Sequence, residues 1–539
     1  MTAPLPQLTP EYMRTMYPPH LELLQAQVFF RHGERSPVKL RLFPDKDWPF
    51  CERSNYLHSE FMKAVGRFVP KEEPMPLPDA DRMAKGTTAE AKAAAAAASA
   101  SASAASEEDD SRYTKRTWTT KTGLEYEPAE WSVRLGSDAM YPDDNGRNNS
   151  RDPRMCNGGQ LTDIGLLSLE RVGRHLRELY VDKLGIIPQK IGAKPSEWLY
   201  IRSTDYSRVL QSTYALLTGL YPNNTAAATT KKPAVFDAEF LETFPIHTRM
   251  HNHETMHGNY ACYNFIKQFI NPPIAEARKL KWIDDVYRQA SELKSIGSKA
   301  KQIMNTPNFG STIHPVYDEL QALESHGVPL PADISRDLLA SLGRAASYQW
   351  NSPIHYVQGQ RLGFSLLVND VVSTMAQAAK HYSQGKGQTS QRPRLGAQRN
   401  GDLLLSSNGG IREETPEEIP GVPKLALYGG HDITVGPLAV IMGNTSSEWL
   451  PFASTLTFEL FKDTRDGGSY VRTRLNDKAL QMATCEPLGK HHPQMGSSMC
   501  TLDAFLEHIA PIMATEEDFK AECGSFPSTT PLASRRNNK

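Results

Sequence analysis

The chain has 539 residues, of which 39% are hydrophobic and 22% charged, a composition typical of a globular protein with two or more domains or one large domain with insertions. Its formal net charge of −1 gives no electrostatic reason to bind nucleic acid or a membrane surface, and no apolar run approaches the roughly 20 residues of a membrane-spanning helix. The first 20 residues contain no basic segment followed by an apolar one, so we expect no secretory signal and an intracellular protein, in the cytoplasm or the mitochondrion.

Six cysteines lie far apart in the sequence. Because disulfides are rare in reducing compartments, we expect all six to be reduced thiols in an intracellular protein. They are Cys51, Cys156, Cys262, Cys485, Cys500 and Cys523.

The first predicted element is a buried strand over the apolar run Leu23–Phe30, and the heptapeptide Arg31–Pro37 (RHGERSP) follows it directly. The heptapeptide places His32 between two arginines. Guanidinium groups bind phosphate oxygens bidentately and stay charged at any working pH. A neutral imidazole can attack phosphorus and carry the phosphoryl group covalently. The strand end therefore indicates a phosphate site.

A low-complexity insertion is predicted at 84–111, which holds an alanine run and a short acidic run. Thr162 is a plausible N-cap for a helix with apolar residues at helical spacing. The short apolar stretch Trp198–Ile201 predicts a strand, with Arg202 as the residue that leaves it, and a second helix follows Ser203.

The middle of the chain is rich in helical patterns, and we predict a cap domain at 239–399 whose end, 384–399, is a flexible linker. The stretch Lys424–Tyr428 predicts another strand, followed by His431 and Asp432. Two alternating stretches around an Asp-Gly-Gly turn at 466–468 predict a hairpin. Strands and helices alternate on both sides of the cap, so 1–238 and 400–539 are predicted to form one α/β domain.

Three predicted strand ends carry chemically active side chains, and ligands of open α/β sheets bind at the carboxyl ends of strands. Residues distant in sequence are therefore expected to meet at one edge. In this hypothesis His32 attacks phosphorus, Asp432 protonates the leaving alkoxide and later activates water, and the remaining residues bind the phosphate oxygens. The phosphate-binding residues are predicted to be Arg31, Arg35, Arg202 and His431.

The motif Arg-His-Gly-x-Arg-x-Pro near the start, with a late His-Asp, resembles the histidine phosphatase superfamily in its acid phosphatase branch. Gly159–Thr162 and Ile201–Asp205 are similar to two further family segments. Two departures stand out: Ile433 follows the His-Asp pair where the family usually has threonine, and the segment 37–157 is unusually long.

The resemblance implies a phosphoglycerate-mutase-like three-layer sandwich with a mostly helical cap insertion. It also implies an acid phosphatase that hydrolyses small phosphate monoesters without a metal or other cofactor. The branch includes a lysophosphatidate acid phosphatase-like subgroup, to which an intracellular member would be similar. We expect an acidic optimum, because the proton donor Asp432 must be protonated. The physiological substrate and the oligomeric state do not follow from the sequence.

Three other functions stay open. A mutase-like phosphoryl transferase would share His32, and a catalytically silent protein would bind a phosphate ligand without turnover. A zinc protease would use His253, Glu254 and His257, which match His-Glu-x-x-His. That motif requires a helix, and the surrounding residues have no helical periodicity, so we do not favour it. The histidines between His247 and His257 have no other assigned role.

Overall fold

The computed structural model describes residues 3–58, 152, 154–191, 195–222, 244, 246–249, 254–257, 262–305, 312–383 and 422–524, and the backbone of 118–119 and 125–126. The predicted low-complexity insertion at 84–111 and the predicted linker at 384–399 lie outside these residues.

The strands form one mixed sheet in the order β4–β5–β1–β6–β7–β10–β9, with β8 paired to β7, and a separate two-stranded pair, β2 with β3. Strands β4, β5 and β1 are parallel, whereas β6 and β7 are antiparallel to their neighbours. The strands are β1 Leu21–Arg31, β2 Trp118–Thr119, β3 Glu125–Tyr126, β4 Leu199–Ser203, β5 Leu425–Gly430, β6 Thr455–Asp463, β7 Ser469–Leu475, β8 Lys478–Ala479, β9 His491–His492 and β10 Gly496–Thr501.

Two layers of helices cover the sheet. The helices are α1 Pro10–Met16, α2 Asp163–Leu176, α3 Ser207–Leu220, α4 Asn271–Arg278, α5 Lys281–Glu292, α6 Gly297–Met304, α7 His314–Ser325, α8 Arg336–Asn351, α9 Val357–Ser383, α10 Asp432–Ile441, α11 Leu502–Ile509 and α12 Glu516–Cys523. A π-helical stretch, Arg177–Lys183, continues α2. The short helix Tyr263–Phe265 continues as the π-helical stretch Ile266–Ile270.

Strand β1 is the centre of the molecule because both of its faces are buried. Val28 and Phe30 pack into the core formed with α2 and α3, whereas Leu24 and Phe29 pack into the core formed with α9, α10 and α11. A strand buried on both faces is expected to be mostly apolar, and seven of the eleven residues of β1 are, while its buried Gln25 and Gln27 donate to the backbone carbonyls of Pro423 and Val371. The central sheet between helices confirms the predicted α/β class.

A third core lies among α5, α6, α7 and α8 and also takes in Leu42, Trp48 and Trp449 from outside the predicted cap. The last helix of the predicted cap segment, α9, packs instead on the sheet. The boundaries 1–238, 239–399 and 400–539 stay a prediction.

Local predictions made from turn and capping patterns hold in the structure. The Thr162 side chain accepts a hydrogen bond from the backbone N–H of Gly165 at the start of α2. Strands β6 and β7 form the predicted antiparallel hairpin, and Gly467 in its turn has φ 74°, a conformation that glycine adopts without strain.

The expectation of reduced cysteines is wrong, because all six cysteines are paired in disulfides. The physical reason is spatial: residues up to 261 positions apart are brought to Cα–Cα distances of 4.8–5.2 Å, a separation that a disulfide spans. The pairs are Cys51–Cys156, Cys262–Cys523 and Cys485–Cys500. Within the described ranges, no helix combines the length and apolar character needed to cross a bilayer.

Candidate active site

The parallel pairing of β4, β5 and β1 brings three strand ends to one edge of the sheet. Arg31 pairs with Gly430 in register, and Ser203 pairs with Gly429. The next residue after β1 is His32 and the next after β5 is His431, and their ring centroids lie 5.4 Å apart. Side chains about 400 positions apart in sequence therefore face each other, as the sequence predicted.

The ring of His32 is held in one tautomer. Its Nδ1 lies 2.8 Å from the carbonyl oxygen of Gly33, which can only accept, so Nδ1 carries the proton and Nε2 carries a lone pair. Gly33 is required for this loop conformation, because a Cβ there would lie 2.3 Å from the carbonyl oxygen of Gly165 in α2. The loop is thereby fixed against the helix that starts at Thr162.

The electrostatic surroundings keep His32 neutral. Burial lowers its pKa well below the ordinary value of 6.5, and the nearby charges of Arg208, Arg31 and Arg35 lower it further. His32 is 1% exposed. A neutral, oriented imidazole surrounded by guanidinium groups is suited to attack an anionic phosphate at acidic as well as neutral pH.

Asp432 is the first residue of α10 and forms an ion pair with Arg31. Their Nη2–Oδ2 distance is 2.8 Å, and the Asp432 side chain is 18% exposed whereas Arg31 is fully buried. The other carboxylate oxygen, Oδ1, accepts from the backbone N–H of Ile433 at 2.9 Å. The guanidinium of Arg31 also donates to the carbonyl of Leu450 and lies 4.2 Å from the ring centroid of Phe452. Asp432 is therefore positioned beside the predicted phosphate site and reaches solvent.

Arg35 is bound by a carboxylate that the sequence did not predict. Asp318, on α7, accepts two hydrogen bonds from its guanidinium, at 2.7 and 3.2 Å, and both side chains are buried. Burial alone would raise the pKa of Asp318, but the charges of Arg35 and His314 and the hydrogen bonds that Asp318 accepts from Arg35 and Val38 together lower it. Asp318 is therefore ionised and fixes the guanidinium of Arg35 in place.

Arg202 lies in a different ion-pair network. Its Nη2 is 2.5 Å from Oε1 of Glu254, and its Nη1 is 3.2 Å from Oδ2 of Asp370, which also pairs with Arg249. Side chains alternate between the two faces of a strand, so Arg202 shares a face of β4 with Tyr200, which packs in the core beneath α9. Asp370 belongs to α9 and therefore lies on the same side of the sheet as Arg202. Arg202 thus binds protein carboxylates on the α9 side of the sheet.

Arg208, in the first turn of α3, approaches the two histidines. Its Nη2 lies 3.4 Å from Nδ1 of His431, and its guanidinium lies 4.7 Å from the ring centroid of Tyr206. After burial, it is the largest cause of the lowered pKa of His32. Sequence reasoning missed Arg208, although a cation in the helix turn that follows a strand end was a signal that could have identified it.

His431 has both ring nitrogens close to polar partners. Its Nε2 lies 2.9 Å from Oγ1 of Thr204 and its Nδ1 faces Arg208, so Nδ1 accepts and Nε2–H donates. Its pKa is lowered well below the ordinary value by burial and by the neighbouring His257, whose ring centroid is 4.5 Å away. The departure at Ile433 leaves Thr434 in place, and Oγ1 of Thr434 accepts from the backbone N–H of His431.

The described part of the His-Glu-x-x-His motif does not form a helix. Residues 254–257 form a turn, and His253 lies outside the described residues. Oε1 of Glu254 accepts from Arg202 and from the backbone N–H of Met256. Glu254 is therefore engaged in the ion-pair network of Arg202.

One group of three possible metal ligands, His20, Asp463 and His492, was identified among the described residues. Asp463 pairs with Leu21, at the opposite end of β1 from Arg31 and His32. Nδ1 of His492 accepts two backbone N–H groups, so its Nε2 is protonated and donates to Asp463, which also binds Arg465. This set of donors and acceptors is suited to a hydrogen-bonded network and not to a metal ion.

The site can be compared with known proteins. A family model described as "Histidine phosphatase superfamily (branch 2)" matches residues 22–476. Counting factor 60 of Dictyostelium discoideum is 24% identical over 366 residues, which are 67% of this chain and 71% of that protein. Lysosomal acid phosphatase of Xenopus laevis is 24% identical over 381 residues, 68% of this chain and 71% of that protein. Lysophosphatidic acid phosphatase type 6 of Bos taurus is 25% identical over 373 residues, 68% of this chain and 69% of that protein.

The predicted intracellular location is wrong. Three disulfides indicate an oxidising compartment, because the cytosol keeps thiols reduced. Curated relatives also include the lysosomal acid phosphatases of Xenopus laevis and Homo sapiens. The prediction was wrong because it rested on the polar character of the first 20 residues alone.

Proposed function

The chain belongs to the histidine phosphatase superfamily, branch 2, and is a phosphomonoester hydrolase of the acid phosphatase type, and we propose that it works through a covalent phosphohistidine on His32. The observation that carries this proposal is the neutral His32, with Nδ1–H donated to the carbonyl of Gly33 and Nε2 left to attack. Small phosphate monoesters are the substrates of this chemistry.

In the first step, Nε2 of His32 attacks phosphorus opposite the ester oxygen. The P–O ester bond breaks as the P–N bond forms, and protonated Asp432 gives its proton to the departing alkoxide. Alkoxides leave poorly near neutral pH without such a proton. The positive charges around His32 stabilise the charge on the phosphoryl oxygens in the transition state.

In the second step, water attacks the phosphohistidine. The carboxylate of Asp432 takes a proton from the water, the P–N bond breaks, and phosphate and neutral His32 are released. Asp432 thus serves as acid and then as base, and its partial exposure to solvent lets it exchange protons between the two steps.

The phosphate-binding guanidiniums in this proposal are those of Arg31, Arg35 and Arg208. We assign the third position to Arg208 in place of Arg202, because Arg208 lies against His431 whereas Arg202 is bound by Glu254 and Asp370. His431 accepts from Arg208 and so positions that guanidinium.

The proposal is tested by replacing His32 with alanine and measuring turnover of a chromogenic phosphate monoester. His32→Ala is expected to abolish turnover while thermal unfolding stays cooperative. A matched control is His381→Ala, which removes an exposed histidine on α9 and should leave turnover unchanged. Substantial activity in His32→Ala would refute the assignment.

The same assay separates the alternatives. Activity that survives a chelator argues against a zinc protease or other metal enzyme, and activity that requires a bisphosphoglycerate would indicate a mutase. Binding of phosphate or vanadate without any turnover would indicate a silent binding protein.

A further inference from the structure

A pocket opens beside Asp432, on the surface where the helical region meets the sheet edge. Its described lining includes Trp350 and Asn351 at the end of α8, and Glu448, Trp449 and Leu450 in the segment before β6. Because Asp432 lines the same pocket and is the proposed proton donor, the pocket adjoins the position of the ester oxygen.

Two tryptophans, Trp350 and Trp449, form part of the wall of this pocket. His314, the first residue of α7, lies between the two tryptophans, with ring centroids 5.3 Å from Trp350 and 5.0 Å from Trp449. The guanidinium carbon of Arg31 is 6.0 Å from the ring centroid of Trp449. Aromatic surface thus extends from the phosphate-binding arginine towards the outside, where it can contact a flat or apolar group.

The charges of this pocket are acidic. Asp432 and Glu448 are the ionisable side chains among its described lining residues, which include neither Lys nor Arg. Glu448 is 62% exposed and has Arg344 at 3.4 Å. Because Asp432 gives its proton to the leaving group in the proposed mechanism, Glu448 is the lining carboxylate that repels a leaving group with carboxylates or further phosphates of its own.

We propose that this pocket holds the leaving group and selects phosphate monoesters whose leaving alcohol is uncharged and has a ring face, against those whose alcohol is anionic. This inference rests on the proposed function, since it assigns the ester oxygen to Asp432. Trp350 supplies the contact surface, and the carboxylate of Glu448 supplies the repulsion.

The test uses three benzylic esters: benzyl phosphate, 4-carboxybenzyl phosphate and the neutral methyl ester of the latter. Ethyl phosphate serves as the substrate without a ring. The methylene group insulates the reacting oxygen from the ring substituent, so differences in kcat/KM report on the pocket. At pH 6 the methyl ester is expected to exceed the carboxylate about threefold to fivefold in kcat/KM, as expected for one exposed and partly screened like charge.

Two variants locate the effect. Glu448→Gln is expected to lower the ratio of methyl ester to carboxylate about threefold, and Trp350→Leu to lower the preference for benzyl over ethyl phosphate about tenfold. Glu276→Gln, an exposed carboxylate on α4, is the matched control and should leave both ratios unchanged.

The possible failures are distinguishable. Equal kcat/KM for the carboxylate and its methyl ester, or ratios that neither pocket variant changes, would overturn the leaving-group inference while His32-dependent turnover continued. If none of the four esters were hydrolysed, the proposed function itself would fail.

Discussion

Replacing Arg208 with alanine tests which arginine completes the phosphate site. A charged hydrogen bond contributes about 1.5–3 kcal/mol, and a donor directed at transition-state charge contributes about 10²- to 10³-fold in rate. Arg208 lies against His431 and acts electrostatically on His32. We therefore expect Arg208→Ala to lower kcat/KM for a chromogenic phosphate monoester about 10²- to 10³-fold.

A second readout follows from the pKa of His32. After burial, the charge of Arg208 is the largest cause of its lowering, so removing that charge raises the pKa. A larger fraction of His32 is then protonated and unable to attack at low pH. The acid limb of the kcat/KM profile is expected to move to higher pH in Arg208→Ala.

Arg202→Ala is the matched comparison, because it removes the arginine that binds Glu254 and Asp370. Leaving the buried carboxylate of Glu254 without this partner is expected to cost about 3–5 kcal/mol of stability. The kcat/KM of the folded fraction should change less than tenfold. Arg202→Lys provides a milder variant if the alanine variant does not fold. A larger loss of kcat/KM at Arg202 than at Arg208 would refute the assignment.

Three further results are expected. Replacing Cys51 and Cys156 by serine removes a cross-link between residues 105 positions apart and should lower the free energy of unfolding in urea by about 4–5 kcal/mol. A loss below about 1 kcal/mol would contradict the presence of this disulfide. Asp318→Asn removes a negative charge beside Arg35, so inorganic phosphate should inhibit several-fold more tightly while thermal stability falls; unchanged inhibition would contradict this electrostatic role. Because the pKa of His32 is lowered in the folded state, the unfolded state binds a proton first as the pH falls below about 6.5, and the free energy of unfolding should decrease towards acid. His32→Asn should make this decrease of stability with pH less steep, and an equal pH dependence in the variant would contradict the lowered pKa.

The sheet edge could be predicted from sequence because its signals are local. The apolar run of β1 ends at Arg31, the run of β5 ends before His431, and parallel strands that share a register place such ends together. The structure accordingly places His32 and His431, which directly follow these strands, next to each other, while their catalytic and phosphate-binding roles stay predictions.

The placement of Arg202 away from the two histidines also has a physical reason. Side chains alternate along a strand, and Tyr200 and Arg202 lie on the face that α9 covers. Because Tyr200 lies two residues before Arg202 on the same face of the strand, the burial of Tyr200 beneath α9 places Arg202 beneath that helix as well. The contacts of Asp318 were not predictable, because α7 meets the heptapeptide 283 residues away through tertiary packing.

The disulfides were unpredictable for a related reason. The pairs span sequence separations of 15, 105 and 261 residues, and their closure depends on how the sheet and helices pack. The prediction of six reduced thiols depended on the expected intracellular compartment alone, and it was wrong for every cysteine.

Trapping the covalent intermediate tests the central claim most directly. The enzyme is mixed with excess phosphate monoester, quenched in alkali within milliseconds to preserve phosphohistidine, digested and analysed by mass spectrometry. We expect one phosphoryl group on Nε2 of His32, with a matching burst of released alcohol. A burst with the phosphoryl group on another residue, or turnover without any covalent phosphoenzyme, would contradict the mechanism.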